Sequence, residues 1–271
     1  MPHTNRPKKP QAEKRLEVTD IDGWTHVTTT KNVRRALRRS HPKPHTTQAA
    51  QQQEQPTLTP AEAPSQTTLE TLQKQLLTHR EKWESSESWR VTHAGLQGIF
   101  ADSDPASGAQ PGLAVDDIVC VGLGSPSGFL RGGWVDRRDV SLYQLAALAS
   151  MVDMMRKRHP SVRVYAQDPV FNDLDRSLLD SLGFTVLEHP EGFARVSDRT
   201  FLYCPGAERT HLEQLLPANP PLLFGGPLEE IESEVVGRFL GARKSVRVPV
   251  FENNEHAFWN MRLYFLERSE E

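Results

Sequence analysis

Gly122, Gly124 and Ser125 follow the run Asp117-Ile-Val-Cys-Val121, whose apolar residues succeed one another without polar alternation. Such a run is the pattern of a strand buried on both faces, as in a parallel sheet covered by helices. Glycines without a Cβ let the chain turn sharply there and let a ligand approach the main chain. Asp168 follows a second expected strand, Val162 to Ala166, and Glu191 comes before Gly192 after a third. A carboxylate at the end of the second strand can accept from both hydroxyls of a ribose. Tyr143 and Gln144 fall at the start of the helical pattern that follows the glycine turn, on the same side of the sheet. The candidate ligand site is therefore Gly122, Gly124, Ser125, Tyr143, Asp168 and Glu191. Its chemistry is binding of a nucleotide-like molecule or S-adenosylmethionine, and no residue set marks a catalytic reaction.

The spacing keeps a second reading open. Gly122 to Gly128 reads GxGxxxG, and the next helical pattern begins only near Ser141. In a compact dinucleotide motif the glycine turn leads straight into a helix facing the pyrophosphate, with the acidic residue roughly 20 positions on. Here Asp168 lies about 45 residues beyond Gly122. The glycines fit either ligand approach or a tight structural turn. Asp168 fits either a ribose or the Asp-Pro turn and helix cap that follow it. Glu191 fits a second pocket carboxylate or turn chemistry before Gly192. A serine-hydrolase elbow would need serine at Pro126. His189 and His211 have no partner pattern and read as surface histidines. Cys120 and Cys204 sit inside apolar runs as small buried hydrophobes of a reducing compartment, and no CxxC or HExxH points to a metal.

The elements that must position these residues are legible from periodicity. Leu69, Leu72, Leu76 and Leu77 predict a helix over 68–86, and a second runs from about Trp89 to Phe100. Ser141-Leu-Tyr-Gln144 reads as a capping box opening a helix to about Arg158. A helix over 172–182 is closed by Gly183, and further helices are expected over 208–216 and 229–240. Strands are expected at 162–166, 184–187, 200–204 and 222–224, and the runs 246–251 and 261–266 at an edge hairpin. Repeated strand-helix alternation implies an α/β fold, a three-layer sandwich with a mostly parallel sheet.

The chain has 271 residues and 37% hydrophobic content, so part of it is expected not to fold. Residues 1–50 carry 11 Lys+Arg against 4 Asp+Glu, whereas the rest is acidic. Asp20 to Val27 forms a first apolar cluster, a short strand that could dock through Trp24 and Val27, and Arg34, Arg35, Arg38 and Arg39 share one side of a helix if one forms. Residues 41–67, rich in Gln, Thr, Pro and Ala, bury too little apolar surface to offset ordering entropy. The expected division is a basic, largely disordered arm and linker over 1–67 and a folded domain over 68–271. Such an arm suits a protein partner or nucleic acid, the latter with strongly salt-dependent affinity. No signal-peptide pattern and no run near the roughly 18 apolar residues of a membrane helix is present, so a cytoplasmic or nuclear protein is expected.

Val121-Gly-Leu-Gly-Ser125, Tyr143-Gln-Leu-Ala146, Asp168-Pro-Val-Phe171, Leu182-Gly183, Glu191-Gly192, Tyr203-Cys-Pro205 and Ala257-Phe-Trp-Asn260, in that order, resemble the SRR-like (sensitivity to red light reduced) domain family. Asp22-Gly-Trp-Thr-His-Val27 is similar to its N-terminal signature. The resemblance implies a Rossmann-like domain of eukaryotic regulatory proteins, associated with light and circadian signalling in plants and with haem biosynthesis and cytoskeletal regulation elsewhere. It brings no agreed catalytic residues. The chain departs from the usual Ala-Phe-Asn-Asp ending, with Trp259 before Asn260 and no following Asp. The rival is an S-adenosylmethionine-dependent methyltransferase, with Tyr203-Cys-Pro205 as the polar-Pro segment after the fourth strand.

Overall fold

The structure is a computed structural model that describes residues 15–19, 25–29, 59–101, 113–129 and 136–266. The chain divides into two compact units, Met1–Gln55 and Pro56–Glu271. In the first, β1 (Arg15–Thr19) and β2 (Thr25–Thr29) pair antiparallel, with Arg15 opposite Thr29 and Thr19 opposite Thr25. The strand expected near Val27 is therefore one arm of a hairpin. The docking role of Trp24, the arginine helix and the expected disorder of the arm lie outside the described residues.

The second unit is α/β. Among the described residues its seven strands are β3 (Asp117–Val121), β4 (Arg163–Gln167), β5 (Thr185–Val186), β6 (Thr200–Cys204), β7 (Leu222–Gly225), β8 (Arg243–Arg247) and β9 (Arg262–Leu266). They lie in the order β5-β4-β3-β6-β7-β9-β8. The first five in that order are parallel, and β9 and β8 close one end antiparallel. Because β3 has β4 on one side and β6 on the other, the chain reverses its direction across the sheet after β5. All five parallel strands then deliver their exit loops to one edge.

Among the described residues six α-helices accompany the sheet: α1 (Leu69–Glu84), α2 (Glu87–Ala101), α3 (Arg138–Arg158), α4 (Asp173–Ser181), α5 (Arg209–Leu215) and α6 (Glu234–Leu240). Strand residues alternate between two cores, as the two-residue period of a pleat requires. Ile118, Cys120, Ala166 and Tyr203 pack with Leu76 of α1, Leu96 of α2, Leu148 of α3 and Leu178 of α4. Val119, Val121, Leu202 and Cys204 pack with Leu212 and Leu215 of α5 and Val236 and Phe239 of α6. Every residue from Ser141 to Val152 is buried, because α3 is covered by α1 as well as by the sheet. Residues 59–67 also lie on this unit. Ala61 is buried and its amide donates to Val170 O at 2.8 Å, and Glu62 bridges to Phe129.

Three boundaries move for physical reasons. Helix α3 starts at Arg138, a turn before Ser141, and Asp136 Oδ1 accepts from the Arg138 amide there. The Ser141–Gln144 pair does not cap it: Gln144 Nε2 donates to Ala257 O at 2.9 Å instead. Helix α6 starts at Glu234 because the preceding residues are tied elsewhere, with Leu228 N donating to Tyr264 Oη and Ile231 N turning back to Leu228 O. Strand β8 ends at Arg247, just before Pro249, although Val248 N still reaches Met261 O.

Candidate functional site

The exits of β3, β4, β5 and β6 meet at the carboxyl edge. Gly124 N donates to Asp168 Oδ2 at 2.8 Å, and Gly122 N to Gln167 O at 3.4 Å. Gln167 Oε1 accepts from Gly192 N at 2.6 Å. Gly122, Gly124, Ser125 and Asp168 are thus brought together, as the parallel sheet demands. Glu191 is next to this cluster in sequence but exposed, and its amide closes a turn onto Glu188 O at 2.7 Å. Tyr143 is buried, with its ring 4.2 Å from that of His79 and 4.8 Å from that of Phe251.

The two glycines have identifiable neighbours. Both hold positive φ, 76° at Gly122 and 73° at Gly124, which glycine adopts without steric cost. A Cβ at Gly122 would meet the Gly206 carbonyl carbon at 3.0 Å, and one at Gly206 would meet Gly122 O at 2.5 Å. A Cβ at Gly124 would lie 2.7 Å from Ser141 Oγ. The glycines thus allow the β3 and β6 exits, and the first turn of α3, to pack against each other. Gly206→Ala is expected to lower stability by about 1–3 kcal/mol, the scale of enforced backbone strain, because the clashing atom is main chain and cannot rotate away. Urea denaturation measures it; an unchanged midpoint would mean the exits are not in contact.

Ser125 belongs to a buried network that composition did not reveal. Asp175, fully buried in the first turn of α4, accepts from Ser125 Oγ at 2.6 Å, Ser127 N at 2.9 Å and Asn172 N at 3.1 Å. Ser125 Oγ in turn accepts from Gly128 N at 2.8 Å. Asn172 caps α4 through Leu174 N and Asp175 N, and its Nδ2 donates to Ala61 O at 3.0 Å. The network fastens the glycine-serine loop, the start of α4 and residue 61 into one rigid rim.

Asp168 forms an Asx turn with Val170 N at 3.1 Å while holding Gly124 N. Burial raises the pKa of both Asp168 and Asp175, against the hydrogen bonds each accepts. Each carboxyl keeps its proton to higher pH in the folded chain than in the unfolded one. Its stabilising contribution is complete below the ordinary value of 3.8 and is lost as pH rises through the folded value. Asp168→Asn, which cannot titrate, should therefore gain on the wild type in folding free energy as pH rises from about 4 to 7. Denaturant titrations across that range read the difference, and a wild type that gains on the variant as pH rises would refute it.

Two histidines complete the rim. The rings of His189 and His211 both lie against Phe193, with centroids 5.5 and 5.9 Å away and planes at 87° and 70°. Gln167 Oε1 is committed to Gly192 N, so its Nε2 is the donor to His189 Nδ1 at 3.1 Å. His211 Nδ1 accepts from Glu208 N at 3.3 Å. With Nδ1 accepting in both rings, the proton of each neutral imidazole is on Nε2. Each ring offers a donor, whereas a base or a metal ligand needs a free lone pair. The local signal was present for His211 alone, three residues after Glu208 at the start of α5. Nothing in the order of residues links His189 to Gln167. Among the described residues no group of three His, Cys, Asp or Glu could hold a metal ion, and no helix is long and apolar enough to cross a membrane. Both cysteines are buried and free; burial pushes the Cys204 thiol up to about 12 and the Cys120 thiol well above its usual range.

Comparison with the curated proteins and with the solved structures finds no match in either. A comparison with family models does: the model of the SRR1 domain matches residues 68–265, from the N-cap of α1 to the last residue but one of β9, and so covers the rim except for Ala61. The match spans well over half of the chain, and the chain belongs to the SRR1 domain family.

Proposed function

We propose that this is a regulatory SRR-like protein whose Rossmann-like, three-layer domain binds a small nucleotide-like ligand at the carboxyl edge of the sheet, and that it acts by binding rather than by catalysis. The observation that carries the reading is how the polar groups of the rim are engaged. Asp168 accepts two main-chain amides, and both imidazoles accept at Nδ1 and can only donate at Nε2. Such a rim presents donors to a ligand oxygen, and neither Asp168 nor the Nδ1 of either imidazole is free to abstract a proton. The point between β3 and β6 where strand order reverses is where open α/β sheets commonly take ligands. Ser125 and its network hold the rim, Gly122 and Gly124 shape it, and Glu191 and Tyr143 flank it at a distance. Within the same reading the basic first 50 residues contact a protein partner, and the protein works in the cytoplasm or nucleus in pathways of the kind the family resemblance implies.

Calorimetric titration with common nucleotides and S-adenosylmethionine tests this. Saturable binding that His211→Ala weakens while the thermal midpoint holds supports it. Absence of heat with every ligand, or turnover of S-adenosylmethionine, overturns it. Retention on nucleic acid that disappears at high salt and on deletion of residues 1–50 would transfer the arm's role from protein to nucleic acid.

A further inference from the structure

We propose that a groove between α1, α2 and α3, separate from the strand-end rim, binds a small phosphomonoester that carries a flat ring. The groove has a volume of ≈ 370 Å³, within the roughly 300–1,000 Å³ of small-molecule sites. Its floor includes the buried Ser150 and Met154, and Trp89 and His93, 5.1 Å apart between ring centroids, form a wall. A second hollow of ≈ 340 Å³ opens along the same wall and also touches Glu84.

The charges around the groove are unequally matched. Arg80 donates Nε to Glu84 Oε1 and Nη2 to Asp153 Oδ2, both at 2.7 Å, so one guanidinium engages both of the groove's carboxylates. Its Nη1 has no hydrogen-bond partner among the described residues. Glu84 is further committed to Ser150 Oγ at 2.8 Å. Lys157 and Arg158, on the same lining, have neither an ion pair nor a hydrogen bond among the described residues. Basic residues in the last turn of a helix suit its dipole, which accounts for their sign. It does not account for a hollow with an aromatic wall and a spare guanidinium nitrogen beside them. With Arg80 held by the two carboxylates, the two cations Lys157 and Arg158 and the spare Arg80 nitrogen favour a doubly charged phosphate over a single carboxylate, and the half-buried Trp89 gives a ring a face to stack on.

The test uses the full chain and adenosine monophosphate as probe, with adenosine and inorganic phosphate as separate arms, read by calorimetry and by tryptophan fluorescence. The expected result is saturable binding of the monophosphate at least about tenfold tighter than either part alone. The double variant Lys157→Glu, Arg158→Glu should weaken it by about tenfold or more without moving the thermal midpoint, and Trp89→Phe should remove most of the fluorescence change. His211→Ala should leave this binding unaltered. Equal affinity for adenosine, no binding, or a loss that follows His211→Ala instead of the charge reversals would overturn the proposal, the last by sending the ligand to the strand-end rim.

Discussion

Asp175→Ala is expected to destabilise the folded chain by about 3–5 kcal/mol, because it strips the acceptor from three donors in a site closed to water. Ser125 Oγ, Ser127 N and Asn172 N all converge on this carboxylate, which is fully buried. Each donor left without a partner carries a desolvation cost of about 1–3 kcal/mol, with partial relief from relaxation and entering water. Asp175→Asn should lose less. Its amide oxygen can still serve one main-chain N–H, but its NH₂ group would face a donor at the other. Equilibrium urea unfolding of the three proteins measures the order wild type, Asn, Ala. A variant with alanine that unfolds at the wild-type midpoint would mean that the loop after β3 is held by something else.

Trp83→Ala should cost a similar amount, about 3–5 kcal/mol, by leaving a large cavity. Trp83 is fully buried in α1 and sits among three other aromatic rings, 4.5 Å from Phe258, 5.7 Å from Phe251 and 5.9 Å from Trp89 between centroids. Its indole Nε1 is buried and has no hydrogen-bond partner among the described residues. That orphan donor is itself destabilising by about 1–3 kcal/mol, so Trp83→Phe trades lost volume against the removal of an unsatisfied N–H. The phenylalanine variant is therefore expected to keep most of the stability that alanine loses. Thermal and urea unfolding compare them. Equal losses in the two variants would contradict an unpartnered indole.

What could be read from residue order, and what could not, divides by range. Thr200–Cys204 is a strand at its expected bounds because β-branched and aromatic residues run directly into Pro205-Gly206, all within local reach. Asn172 and Gly183 bracket α4 as cap and stop for the same reason. Ser141-Leu-Tyr-Gln144 has the letters of a capping box, yet Ser141 Oγ is packed against Gly124 and Gln144 Nε2 donates to Ala257 O, and local pattern yields to tertiary contact. Alternation of strands and helices implied parallel strands and hence a shared edge, so Gly124 and Asp168 could be paired in advance. Asp175 could not. It resembles any acidic residue in a first helical turn, and its partners Ser125 and Ser127 are far upstream. The same distance hid the link between Gln167 and His189. Gly122 and Gly124 were open to two readings, and their close neighbours Gly206 and Ser141 supply a packing requirement that exists whether or not a ligand comes.

Among the described residues the last strand in sequence, β9, is not the last in the sheet: it lies between β7 and β8 and is the only strand that β8 pairs with there. During synthesis, a nascent chain that has emerged as far as β8 still has the flank of β7 uncovered, with its main-chain N–H and C=O groups bare toward solvent or toward other chains. Assembly from the amino end can complete the parallel half, but the wall carrying Tyr264 and Leu263 must arrive from the ribosome before the open flank is capped. Chaperone dependence should accordingly concentrate in the interval between emergence of residue 225 and emergence of residue 266.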